Sequence, residues 1–129
     1  DRPSVNMDIL FVTVPGFSIL HKHLEQGETI KGYCYVNLNR TPIKCSAGKW
    51  LIVCTDKRLI FLQKSLLNNG HFFEIYLKTI DSILPKNSWL FAGAIISSGE
   101  TKVEIFHAGK ADFKYFWPAL QNAHTLAKG

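Results

Sequence analysis

The stretch Trp50-Leu51-Ile52-Val53-Cys54-Thr55-Asp56-Lys57-Arg58-Leu59-Ile60-Phe61-Leu62 constrains this chain more than any other. Two apolar runs, rich in β-branched and aromatic residues and each too short for a stable helix, flank one polar quartet. That pattern reads as a β-hairpin. A hairpin this apolar needs partners on both sides, and the rest of the chain has to supply them.

At 129 residues the chain is one domain by length, large enough to bury a core without disulfide staples. Hydrophobic residues make up 47% and charged residues 19%, which excludes a disordered chain. No apolar run approaches the ~20 residues of a membrane-spanning helix. The early run Ile9-Leu10-Phe11-Val12 is short, has no basic region before it and makes a poor signal peptide. The expectation is a cytoplasmic protein. Asp1 to Asn6 precede the only methionine, Met7, and read as an added leader or as the end of a longer chain, the choice being left open. Cys34, Cys45 and Cys54 are odd in number and contain no Cys-x-x-Cys pair, which argues against a disulfide scaffold or a zinc ribbon. No metal or other cofactor is expected.

Taken in order, residues 7–14 have strand composition and stop at Pro15-Gly16, so residues 1–16 are set apart as an extension and 17–129 as the domain. Phe17, Leu20 and Leu24 fall at helical spacing, with Gly27 placed to end a short helix over 17–26. Ile30 to Leu38 alternates, with Ile30, Gly32, Cys34, Val36 and Leu38 on one face, as a half-buried strand does. A loop over 39–49 leads into the hairpin. Asn68-Asn69-Gly70 is a turn signal, and strands follow over 71–77, near 82–84, over 89–97 with a bend or bulge at Gly93, and over 101–107. A helix from about Ala111 to Ala127 closes the chain, with Phe113, Phe116, Trp117, Leu120 and Ala123 or His124 on one stripe. Pro118 should kink it near Tyr115 or restart it. The sum is a mainly β domain (α+β by content) of about seven antiparallel strands, forming a sheet pair or incomplete barrel plugged by the last helix.

The order of elements resembles the bacterial pleckstrin-homology domains, especially the YokE-like group. The residues that carry the resemblance are Leu24-Glu25-Gln26-Gly27-Glu28, Cys54-Thr55-Asp56-Lys57-Arg58-Leu59-Ile60-Phe61, Leu77-Lys78-Thr79-Ile80-Asp81-Ser82-Ile83, and Lys110-Ala111-Asp112-Phe113. The resemblance spans about residues 17–127. It implies two near-orthogonal antiparallel sheets with a C-terminal helix over one open end, a non-enzymatic role, and in some members assembly into rings. Phosphoinositide-binding relatives use a lysine in the first strand followed by a Lys-x-Arg pattern. Here Lys44 and Lys49 are present and no Lys-x-Arg follows them.

The residues themselves offer no enzyme: Glu74 and Glu104 stand alone on strands, and there is neither a nucleophile elbow nor a glycine-rich phosphate loop. The leading expectation is a module that binds a protein partner or its own copies, with Ile9, Phe11 and Val12 of the N-terminal strand as the self-association edge and with some of Tyr33, Tyr35, Phe72, Tyr76, Trp89 and Phe91 outside the core if the strands alternate. The alternative starts from charge. Of the formal net charge of +5, an equal excess sits between Arg40 and Lys64. In that reading Arg40, Lys44, Lys49, Lys57 and Arg58 meet lipid phosphates while Trp89 and Leu90 insert at the interface, as a peripheral membrane or anionic-ligand module would. The same charges would suit nucleic acid, but no ribonucleoprotein-type motif accompanies them.

Overall fold

A computed structural model describes residues 24–39, 48–63 and 71–129. Alternation makes the first strand, β1 (Ile30–Leu38), in which Gly32, Cys34, Val36 and Leu38 are buried along one face. Ile30, expected on that face, is buried on the opposite one, because an extra residue between Ile30 and Gly32 breaks the register with the next strand and reverses the alternation there. The central hairpin is β2 (Lys49–Thr55) and β3 (Arg58–Gln63), and β4 (His71–Tyr76) follows. A single 3-10 turn, Leu77–Thr79, leads to β5 (Ser82–Pro85), then β6 (Ala92–Ser98), β7 (Thr101–Ala108) and the closing helix α1 (Lys110–Lys128).

The expected pair of near-orthogonal sheets is replaced by one antiparallel sheet of seven strands in the order β4-β3-β2-β1-β7-β6-β5, which does not close into a barrel. The reason lies in β1. It pairs with β2 along its length, from Ile30↔Thr55 to Asn37↔Lys49, and meets β7 only at Asn37↔Phe106 and Leu38↔Ile105. The hydrogen bonding is therefore continuous, while a short seam joins a β1–β4 wing to a β5–β7 wing.

Both faces of the hairpin are covered, as a doubly apolar strand pair requires. On one face Trp50, Ile52, Cys54, Leu59 and Phe61 join the main core with Phe73, Leu77, Ile80, Ile96, Ile105 and the helix residues Phe113, Phe116 and Leu120. Phe73 stacks on Phe61 at 4.3 Å and meets Trp50 edge-on at 5.4 Å. On the other face Ile30, Leu51, Val53, Ile60 and Leu62 form a smaller cluster with Leu24, Tyr33, Tyr35 and Phe72 packed against it. Cys34 and Cys54 are buried free thiols. Burial, with help from the charge of Asp56, pushes the Cys54 thiol up to about 12.

Three expectations about elements change. Residues 24–26 are not helical: the Glu28 N–H donates to the Glu25 carbonyl at 3.0 Å and the Glu25 N–H donates to Glu28 Oε1 at 2.9 Å, which closes a turn there instead. The rest of the expected first helix, the strand over 7–14 and the turn at 68–70 lie outside the described residues. The strand expected from Trp89 begins only at Ala92. Ser88 takes residues 88–91 out of the ladder, because its N–H donates to the Phe91 carbonyl at 2.9 Å and its Oγ accepts the Phe91 N–H at 3.1 Å. Finally, α1 runs as one element through Pro118, without a fresh start. Pro118 and Lys114 are both exposed, so the Lys114 carbonyl that loses its helical partner can turn to water. The bulge expected at Gly93 is present, between Ala92 and Ala94. A Cβ there would stand 2.5 Å from the Ile105 carbonyl oxygen, so only glycine fits.

Candidate functional site

Of the six residues expected to meet an anionic surface, Arg40 and Lys44 lie outside the described residues. So do Ile9, Phe11 and Val12 of the expected self-association edge. The structure separates the other four.

Arg58 is the clear correction. Expected on a solvent-facing turn, it is only 4% exposed. Its Nε and Nη2 donate to Glu28 Oε2 and Oε1, each at 2.9 Å, and its Nη1 donates to Glu74. The Thr55 hydroxyl donates to Glu28 Oε2 at 2.6 Å and accepts the N–H groups of Lys57 and Arg58 at 3.1 and 3.0 Å. Burial pushes the Glu28 carboxyl up, but the hydrogen bonds from Arg58, Thr55 and the Glu25 N–H, with the Arg58 charge, outweigh it and hold that carboxyl below its ordinary value. Hydrogen bonds to Glu28 and then to Glu74 outweigh the burial of Arg58 and keep the guanidinium charged. This is a bidentate, charge-assisted clamp that fastens residues 24–29 onto the hairpin. Asp56 completes it, with Oδ1 accepting the Thr29 N–H at 2.9 Å. The Arg–Glu contacts link residues 30 and 16 positions apart, which local sequence reading does not reach.

Lys57 is at the turn but faces Glu25, with Nζ 3.7 Å from Oε1, while the Tyr76 hydroxyl donates to the other Glu25 oxygen at 2.9 Å. Lys49 is exposed at the opposite end of β2, about 20 Å from the turn at roughly 3.4 Å per residue. Trp89 is elsewhere again. Its end of the molecule meets α1 around Lys110, whereas the turn at Asp56 shares a surface hollow with Ala123 and Leu126. Lys110 and Leu126 are about 24 Å apart along a helix rising 1.5 Å per residue. The cations of the hairpin turn therefore do not flank Trp89.

A different set does. The loop over residues 86–91 carries Trp89 at its tip, 85% exposed, with Leu90 at 58% and Phe91 at 41%, and β5, which leads into it, exposes Leu84 at 56%. The loop is tied down at several points. The Lys86 N–H donates to the Gly93 carbonyl at 2.9 Å, Ser88 closes the tip, and Lys110 Nζ donates to the Trp89 carbonyl at 2.9 Å. Three lysines lie at this end of the molecule: Lys86 opens the loop and pairs with Glu104 at 3.4 Å, Lys110 holds the Trp89 carbonyl, and Lys114 lines the groove behind the loop. Between the loop and α1 runs a groove of about 300 Å³ lined by Pro85, Asn87, Ala92, Lys110, Phe113, Lys114, Trp117 and Pro118. Trp89 stands out in the sequence and these lysines do not: the expected helix starts at about Ala111, and only its actual start at Lys110 brings Lys110 and Lys114 to i and i+4 on one face.

Among the described residues, no group of three or more His, Cys, Asp or Glu side chains could hold a metal ion. Nor is any helix among them long and apolar enough to cross a membrane. What this end of the molecule offers is an ordered apolar protrusion together with positive charge.

No curated protein matches the chain in sequence. Solved structures match its fold. A DUF1696 family protein with a pleckstrin-homology domain from Shewanella loihica PV-4 superposes with a TM-score of 0.59 at 16% identity, covering 94% of this chain and 99% of that one. The C-terminal domain of an unknown protein from Leishmania infantum gives 0.60 at 18% identity over 93% and 99%. The hSac2 domain from the human phosphoinositide phosphatase Sac2 gives 0.59 at 12% identity over 98% and 87%. At these identities the likeness shows the fold alone. The sequence model of the bacterial PH domain matches residues 24–122, well over half of the chain. With the open seven-stranded sheet and closing helix, that match establishes that this chain belongs to the bacterial PH domain family.

Proposed function

We propose that this chain is a non-catalytic binding module that docks on an anionic membrane surface through the Trp89 ledge. The observation that carries the reading is the 85% exposure of Trp89 at the tip of a tied-down loop, followed by exposed Leu90 and Phe91, with Lys110 bonded to its carbonyl and Lys86 and Lys114 at the same end of the molecule. Large exposed apolar groups next to one another mark interaction surfaces. A tryptophan with flanking lysines matches the headgroup boundary, where the ring meets the acyl edge and the ammonium groups meet phosphate. Each lysine near an anionic surface contributes about 1 kcal/mol, so three contribute about 3 kcal/mol, and that part weakens with salt. The leading expectation, binding of a protein partner or of its own copies, rested on residues 7–14, which lie outside the described residues, and on aromatics that include Trp89 and Phe91; the lysines at the Trp89 end favour an anionic membrane as what those two meet.

The test is co-sedimentation with neutral and with anionic vesicles at low and at near-physiological salt. The wild-type chain should pellet with anionic vesicles only, and less at higher salt. Trp89→Ser combined with Leu90→Ser should remove about 2–3 kcal/mol of apolar transfer, a loss of roughly 30- to 100-fold in affinity. Equal pelleting of wild type and double variant, each with an unchanged far-UV spectrum, would overturn the reading.

A further inference from the structure

The groove behind the Trp89 loop shares Lys110 and Lys114 with the ledge and adds an aromatic floor of its own. Its floor is aromatic: Phe113 is buried, and Trp117 is half-buried and stacked on it with ring centroids 5.4 Å apart. Its rim is cationic. Lys110 and Lys114 stand one helical turn apart and both are exposed, and no carboxylate lines the groove. Lys110 commits one donor to the Trp89 carbonyl, and an ammonium group has three. Among the described residues Lys114 has no ion pair. An apolar floor beneath two ammonium groups complements a molecule with an anionic head and a hydrocarbon tail. At about 300 Å³ the groove is at the lower end of the size range of small-ligand sites. That size suits a headgroup and the first methylenes of a chain, with the remainder running out over Pro118.

We propose that this groove binds one single-chain anionic amphiphile, with its carboxylate or phosphate between Lys110 and Lys114 and its chain on Phe113 and Trp117. The proposal rests on this end of the molecule being the binding end, but filling the groove requires no bilayer. A free fatty acid and the chain of an anionic lipid present the same chemistry to it, and the experiment separates them.

The full chain is titrated with dodecyl phosphate kept below its micellar concentration, and tryptophan indole resonances are followed by two-dimensional NMR. The Trp117 indole should shift with a midpoint below about 1 mM, the range of a specific small-ligand site. Lys114→Glu should weaken binding at least tenfold, whereas Lys49→Glu, which makes the same charge change at a distant exposed lysine, should leave it unchanged. Dodecyltrimethylammonium should not shift Trp117. No shift with dodecyl phosphate, an equal shift with the cationic amphiphile, or equal weakening in the two variants overturns the proposal. If it falls while anionic vesicles still pellet the chain, the membrane reading stands without the groove. If Trp117 shifts and vesicles fail to pellet the chain, the groove stands with a free acid as its source and the membrane reading falls.

Discussion

Arg58→Ala is the substitution that weighs most directly on how this molecule is held together. It removes a guanidinium that is 4% exposed, together with its two bonds to Glu28 and one to Glu74. The Glu28 side chain is wholly shielded, so its carboxylate is left with only the Thr55 hydroxyl and the Glu25 N–H. Removing one partner of a buried pair costs about 3–5 kcal/mol, because the other charge is stranded. The Glu74 contact adds little, since that side chain is 30% exposed. Against a total stability of about 5–15 kcal/mol, a loss of about 3–4 kcal/mol is a large fraction. For a domain of this size it corresponds to a fall in Tm of roughly 10–20 °C. Thermal and urea unfolding followed by circular dichroism measure it. A second variant, Arg58→Met with Glu28→Gln, removes both charges at similar volume and should recover at least half of the loss. A loss below about 1 kcal/mol for Arg58→Ala, or a double variant equal to the sum of its singles, would refute the clamp and return Arg58 to the surface.

The same cluster sets an acid limit. Glu28 has its folded pKa below the ordinary value of 4.5, so its stabilisation is complete above that value and is lost as pH falls through the folded pKa. A Tm-against-pH curve should therefore drop on the acid side more steeply for wild type than for the Arg58→Met, Glu28→Gln variant, and parallel curves would count against it. Gly93→Ala should cost about 1–3 kcal/mol by overpacking, because its Cβ would press on the backbone oxygens of Ile105 and Lys86 at 2.5 and 3.0 Å; unchanged urea unfolding would contradict this. Cys54, buried and with its thiol pushed up to about 12, should be alkylated only as fast as the domain opens, a rate peptide mass spectrometry can compare with the unfolding rate.

The strands that alternate or run apolar were legible because their period is local. Ile30 to Leu38 and the Trp50 to Leu62 hairpin declare themselves within a dozen residues, and the Phe113, Phe116, Leu120 and Ala123 stripe does the same for the helix. What the sequence hides is non-local or depends on a single side chain. That β1 joins both wings rests on two residue pairs with a strand about 70 positions away. That Trp89 is outside the ladder follows from Ser88 bonding Phe91, a turn that composition alone does not distinguish from a strand start. The basic face was read from charge density along the chain, and density says nothing about pairing. Arg58 and Lys57 face Glu28, Glu74 and Glu25, while Lys110 and Lys114, in a segment of mixed charge, were passed over.

The Glu28–Thr55–Arg58 clamp bears on what a signature can mean. Thr-Asp-Lys-Arg belongs to one of the stretches that carry the family resemblance, and in this molecule most of its polar atoms are spent inward, fixing where the chain enters the sheet. A signature of that sort is internal wiring. A chain that keeps it keeps this way into the sheet, and the loop between β5 and β6 and the first turns of the helix, which take no part in it, are free to change without disturbing it.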